Sequence, residues 1–144
     1  MAKRTENRGA SHRLARVERE IRDVVSVYLL GGFRGELPGM VSISRVGTGS
    51  DLRSARIFVI LILPQEENET PEAFEKRVKL ARREAVDELN EHSHEIQAEI
   101  AHKLQMRFTP KVTFAYDDGY DNAMKVEKIL RDIGQPKKTE TDES

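Results

Sequence analysis

From Leu14 to Tyr28 the apolar residues Leu14, Val17, Ile21, Val24, Val25 and Tyr28 recur at helical spacing with charges between them. That pattern predicts an amphipathic helix with Ser11 as its N-cap and Gly31-Gly32 as its stop. After a loop holding Gly35, Pro38 and Gly39, Val41 and Ile43 alternate with Ser42 and Ser44, as in a half-buried strand. Gly47-Thr48-Gly49-Ser50 is turn chemistry. The run Ile57-Phe58-Val59-Ile60-Leu61-Ile62-Leu63 is too short to cross a membrane and rich in β-branched residues. It predicts a strand buried on both faces and therefore central in its sheet.

Thr70-Pro71-Glu72 combines a cap, a proline at the first helical position and an acid in the first turn, a strong helix start. Phe74, Val78, Ala81, Ala85 and Leu89 follow as one stripe, continued nearly in phase by Ile96, Ile100 and Leu104. Periodicity permits one helix from Pro71 to Met106, with His92-Ser93-His94 as the place where it breaks. Pro110 ends the helical region. Val112, Phe114 and Tyr116 alternate with Thr113 and Ala115 as a third strand, and Asp121 can cap a last helix carrying Ala123, Val126, Leu130 and Ile133 on one face. Gly134 and Pro136 close it. The expectation is an α+β chain in the order α-β-β-α-α-β-α: a basic arm at 1–10, one domain at 11–134 and a disordered tail at 135–144.

Composition narrows the function. The 144 residues suffice for one domain, and the absence of cysteine removes disulfides, thiolate metal sites and thiol nucleophiles. Nothing resembles a membrane span or a signal peptide, so a soluble, cytoplasmic protein is expected. The net charge of −1 conceals segregation: residues 1–34 hold eight Lys or Arg against four acids, whereas 64–100 hold eleven acids against five bases. Arg13, Arg16, Arg19 and Arg22 recur every three residues, a spacing that winds slowly around a helix. It leaves Arg16 and Arg19 on the solvent side.

Candidate chemistry is sparse. His92 and His94 point to different sides of a helix, and His94 and His102 lie about 12 Å apart along one, so neither pair chelates a metal. Ser50, Asp51 and Ser54 form no nucleophile–base pattern. Asp117 and Asp118 could serve a small metal-dependent, phosphate-handling enzyme, but before Gly119 such a pair is ordinary turn and cap chemistry. Gly32-Phe33-Arg34-Gly35 spells G-x-x-G but leads from a helix to a strand, and Gly47-Thr48-Gly49-Ser50 lacks the phosphate-loop lysine. What remains is basic. Arg13, Arg16, Arg19, Arg45, Arg53, Lys103, Arg107 and Lys111 would converge if the first helix lay near the start of the third strand, giving a face for RNA phosphates. The acidic 66–99 stretch would instead suit a protein–protein adaptor.

Three blocks resemble the ribosome-binding factor A family. They are Arg13-x-x-Arg16-Val17 with Glu20; Ser50-Asp51-Leu52-x-x-Ala55-Arg56-Ile57; and Ile100-Ala101-x-x-Leu104-x-Met106-Arg107-Phe108-x-Pro110-x-Val112-x-Phe114-x-Tyr116-Asp117. The resemblance implies a single KH-like domain of type II, a three-stranded sheet backed by helices. It implies a non-catalytic, cofactor-free, monomeric factor. Such a factor binds the immature 30S subunit on 16S rRNA, promotes late maturation and rRNA processing, and delays premature use of the subunit. In the family the central helices meet at a kink with an alanine-x-glycine pattern. Here the matching positions are His92-Ser93-His94, where Ser93 can cap the second helix and His94, if near RNA, would add charge on protonation. Ser93 and His94 therefore join the basic residues as expected RNA contacts.

Overall fold

The computed structural model describes the backbone of residues 2–143 and the side chains of residues 12–120 and 122–133. Its elements run α1 (Ala2–Gly31), β1 (Met40–Thr48), β2 (Ser54–Ile62), α2 (Pro71–Glu91), α3 (Ser93–Leu104), β3 (Lys111–Tyr116) and α4 (Asp118–Glu143), the expected order. Helix α1 begins at Ala2 and α4 runs to Glu143, so Ser11 does not start the first helix and Gly134 and Pro136 do not stop the last. The side chains of the arm at 1–10 and of the tail at 135–144 lie outside the described residues.

The sheet order is β1-β2-β3, with β1 antiparallel to β2 and β3 parallel to it. The apolar stripe of α1 delivers Ile21 and Val25, both fully buried, against Ile43, Ile57 and Val59 of the sheet and Leu89, Ile96 and Ile100 of α2 and α3. Full burial of each such side chain favours the fold by roughly 1.5–3 kcal/mol. Gly32 and Phe33 both donate to the Tyr28 carbonyl and end α1 where the glycine pair predicted. Thr70 caps α2 by accepting from the Ala73 N–H at 3.1 Å.

Several expectations need correction or extension. β2 is central but buried on one face only: Ala55, Ile57, Val59 and Leu61 face the core, while Arg56 is exposed and Phe58 and Ile60 half-buried. The helices pack on a single side of this sheet, so an unbroken apolar run did not signal double burial. β1 alternates through Val41, Ser42 and Ile43 as expected, but the pairing then shifts between Ile43 and Arg45 and leaves Ser44 as the extra residue of a bulge. The slip turns Val46 toward the core and keeps Arg45 outside. The hairpin turn falls after Thr48, and its left-handed residue is Leu52 (φ 59°), not a glycine. The cap of α4 is Asp117, whose Oδ1 accepts from the Tyr120 N–H at 3.0 Å, not Asp121.

The helix break occurs at His92, the residue between α2 and α3 (φ −98°, ψ 16°). Its ring packs edge-on against Phe33 at 5.0 Å, with Nδ1 3.2 Å from Glu95 and Nε2 3.5 Å from Glu88. Ser93 is already inside α3 and makes no capping bond, because the capping position belongs to His92.

Candidate nucleic-acid interface

The α1 helix lies along β1, and the residues between them gather the charge. Glu18 turns inward, accepting from the Thr48 N–H at 2.8 Å and the Thr48 hydroxyl at 2.9 Å. The groove between α1 and β1 is lined by His12, Arg16, Arg19, Arg22 and Arg45, with Glu18 among them but hydrogen-bonded to Thr48. Arg13 joins Arg16 and Arg19 along the outer surface of the helix. Arg16 also borders a second groove, shared with Arg107 and Phe108 beyond α3 and with Leu52 of the hairpin turn. The two grooves meet at Arg16.

This surface is not free of acid. Glu20 sits 3.8 Å from Arg16, Asp23 4.0 Å from Arg22 and Asp51 3.9 Å from Arg53. These pairs are solvent-exposed, and such contacts are weak enough for a phosphate to displace them.

Arg45 is held differently. Its Nε lies 3.6 Å from Asp117, which is only 6% exposed. Asp117 in turn accepts from the Ser44 hydroxyl at 2.5 Å and from the Tyr120 N–H. The Ser44 hydrogen bond is the main influence holding the Asp117 carboxyl below its usual range. Burial opposes it, and the Tyr120 N–H and Arg45 reinforce it. Both oxygens of Asp117 are thus committed, which is the turn-and-cap role of the Asp117-Asp118 pair. Asp118 is exposed. Among the described residues no group of three or more His, Asp or Glu side chains is placed to hold a metal ion.

The remaining expected residues fall elsewhere. Arg53 and Lys111 lie together where β2 and β3 begin, the Lys111 N–H donating to the Arg53 carbonyl at 2.8 Å. Lys103 borders an apolar groove between α1 and α3 alongside Asp23 and Glu99. There the Tyr28 phenol is pushed above its usual value by burial first and then by Glu95 and Glu99. That neighbourhood is acidic, so Lys103 does not extend the basic face. Ser93 and the exposed His94 follow the helix break. Thus Arg13, Arg16, Arg19, Arg45 and Arg107 border connected grooves, and Arg53, Lys103, Lys111, Ser93 and His94 do not line them. Sequence reasoning passed over His12, Arg22, Phe58 and Phe108. Arg22 belongs to the every-third-residue series, and Phe108 is an aromatic next to Arg107 that stands 66% exposed.

The family model described as ribosome-binding factor A matches residues 13–130. A ribosome-binding factor A from Bdellovibrio bacteriovorus is 36% identical over 127 residues, covering 88% of this chain and 84% of that protein. One from a Geobacter species is 30% identical, covering 83% of this chain and 88% of that protein. The solution structure of a Thermotoga maritima protein of the same description is similar with a TM-score of 0.53 at 27% identity, over 76% of this chain and 91% of that one. The crystal structure of ribosome-binding factor A from Thermus thermophilus, 15% identical, shares the fold with a TM-score of 0.51 over 72% of this chain and 94% of that one. The single KH-like domain expected from the sequence is the fold found, and the chain belongs to the ribosome-binding factor A family.

Proposed function

We propose that this protein is a non-catalytic assembly factor that binds the immature 30S subunit through 16S rRNA and promotes its late maturation and rRNA processing. On this reading it acts as a cytoplasmic monomer. The supporting observation is the groove between α1 and β1, where Arg16, Arg19, Arg22 and Arg45 converge around one acid, Glu18, whose carboxylate is engaged by Thr48. Family membership supports ribosome binding, since the curated relatives are named for it.

Guanidinium groups on a rigid helix recognise phosphates and RNA shape more than base sequence. The helix cannot deform to follow an arbitrary partner, so the spacing of its arginines selects an RNA conformation. Holding that conformation would delay premature use of the subunit.

Sucrose-gradient sedimentation with immature small subunits tests the reading. The protein is expected to co-migrate with small subunits and not with complete ribosomes. Replacing Arg13 and Arg16 together by Gln should weaken binding and reduce the salt slope by about one for each phosphate left without its cation. Equal slopes for variant and parent would remove these arginines from the interface.

A further inference from the structure

The outer face of the sheet is the side away from the α1–α3 core, and its centre is Phe58. Register places Arg45 of β1 and Ala115 of β3 on either side of it, with Arg56 two residues earlier on β2. The Arg45 guanidinium lies 3.8 Å from the Phe58 ring centroid, a stacking distance, and the Arg56 guanidinium 6.0 Å from it. An exposed arginine ordinarily samples many rotamers. This one is restrained twice, by the ring beneath it and by Asp117, itself fixed by Ser44 and Tyr120. Its side chain nevertheless remains 61% exposed. The result is a positioned planar cation whose second surface faces solvent.

Arg45 also lines the α1–β1 groove, so it joins that groove to the outer face. The geometry points to the Arg45–Phe58 pair as a stacking platform for one unpaired RNA base, with Arg56 and Lys111 receiving the flanking phosphates. This rests on the RNA-binding reading above and adds to it a preference for unpaired nucleotides.

Three considerations favour such an occupant. Guanidinium planes stack on bases, and a base must leave its helix to be reached that way. The cations on this face are Arg45, Arg56 and, four residues from Ala115 along β3, Lys111, whereas the carboxylates beside Arg45 are engaged, Asp117 by Ser44 and Tyr120 and Glu18 by Thr48. Finally, the ordering of Arg45 precedes binding, so less conformational entropy is lost when a base arrives.

The test uses the full chain and fluorescence anisotropy with a short oligoadenylate and a blunt RNA duplex, each over a salt series. Arg45→Lys keeps the charge but removes the plane. It should weaken oligoadenylate binding by about fivefold or more, with the salt slope unchanged and duplex binding little affected. Phe58→Leu removes the support beneath Arg45 and should weaken the same ligand selectively, with a melting curve to confirm folding. If Arg45→Lys binds oligoadenylate as tightly as the parent, the platform is overturned, and the outer face is left to a protein partner. If the parent binds neither RNA nor small subunits, the RNA reading itself falls, and the platform falls with it.

Discussion

Asn90 of α2 satisfies both backbone groups of Phe114 in β3, accepting from its N–H at 2.8 Å and donating to its carbonyl at 3.1 Å. β3 is an edge strand, and Phe114 faces away from β2 in the ladder. One side-chain amide therefore replaces a missing neighbouring strand. Gln97 of α3 does half as much for Val112, accepting from its N–H at 2.9 Å. Asn90→Ala should cost about 2 kcal/mol, since two partly buried backbone groups lose their partners. Urea unfolding checks this; an unchanged midpoint would mean that water replaces the amide without penalty.

Acid should loosen the junction of β1, β3 and α4. The Asp117 carboxyl is held below its ordinary value, first by Ser44. A depressed carboxyl contributes stability that is complete above its unfolded value, about 3.9, and is lost as pH falls through the folded one. Below about pH 4 the parent should therefore lose stability faster than Asp117→Asn. Some slope will persist in the variant. Glu69, held at about 2 by the Arg77 hydrogen bond and by the Glu66 N–H, titrates in the same window. Thermal melts of both proteins across this range measure the difference, and parallel curves would contradict it.

Gln105 ends α3 in the left-handed conformation (φ 49°) with its side chain exposed. A side chain there carries a steric cost that glycine lacks. Gln105→Gly should raise stability by about 1 kcal/mol, the steric cost of a left-handed side chain less the extra entropy glycine loses on folding. A lower melting temperature would show that Gln105 makes an overriding contact.

Glu20 and Asp51 border the same groove as Arg16 and Arg107. Removing these acids leaves the cations unopposed. Glu20→Gln and Asp51→Asn together should tighten RNA binding severalfold at low salt, with the gain fading as salt approaches physiological strength. No gain at low salt would place the RNA outside this groove.

Much of the fold was legible because long periodic segments dominate it. The α1 stripe, the Thr70-Pro71 start and the Gly31-Gly32 stop are local signals, and each acts locally in the structure. What escaped depends on partners distant in sequence. Nothing in Val-Ser-Ile-Ser-Arg announces the bulge, since it is the hydroxyl of Ser44 meeting Asp117 that uses the extra residue. The one-sided burial of β2 likewise depends on where the helices dock. At the site, the α1 arginines were visible as a series. Phe58 was not, because an aromatic inside an apolar run reads as core until the sheet is seen to have an open face.

The parallel pairing of β3 with β2 has a kinetic consequence. From Ile62 to Lys111 the chain must complete one long crossover, with α2 and α3 inside it, before these strands can meet. The β1–β2 hairpin closes through a short turn and carries no such entropic burden. During refolding the hairpin amides should become protected from exchange first, and those of Thr113 and Ala115 last. Simultaneous protection of all three strands in pulse-labelling would show instead that the sheet forms in a single step.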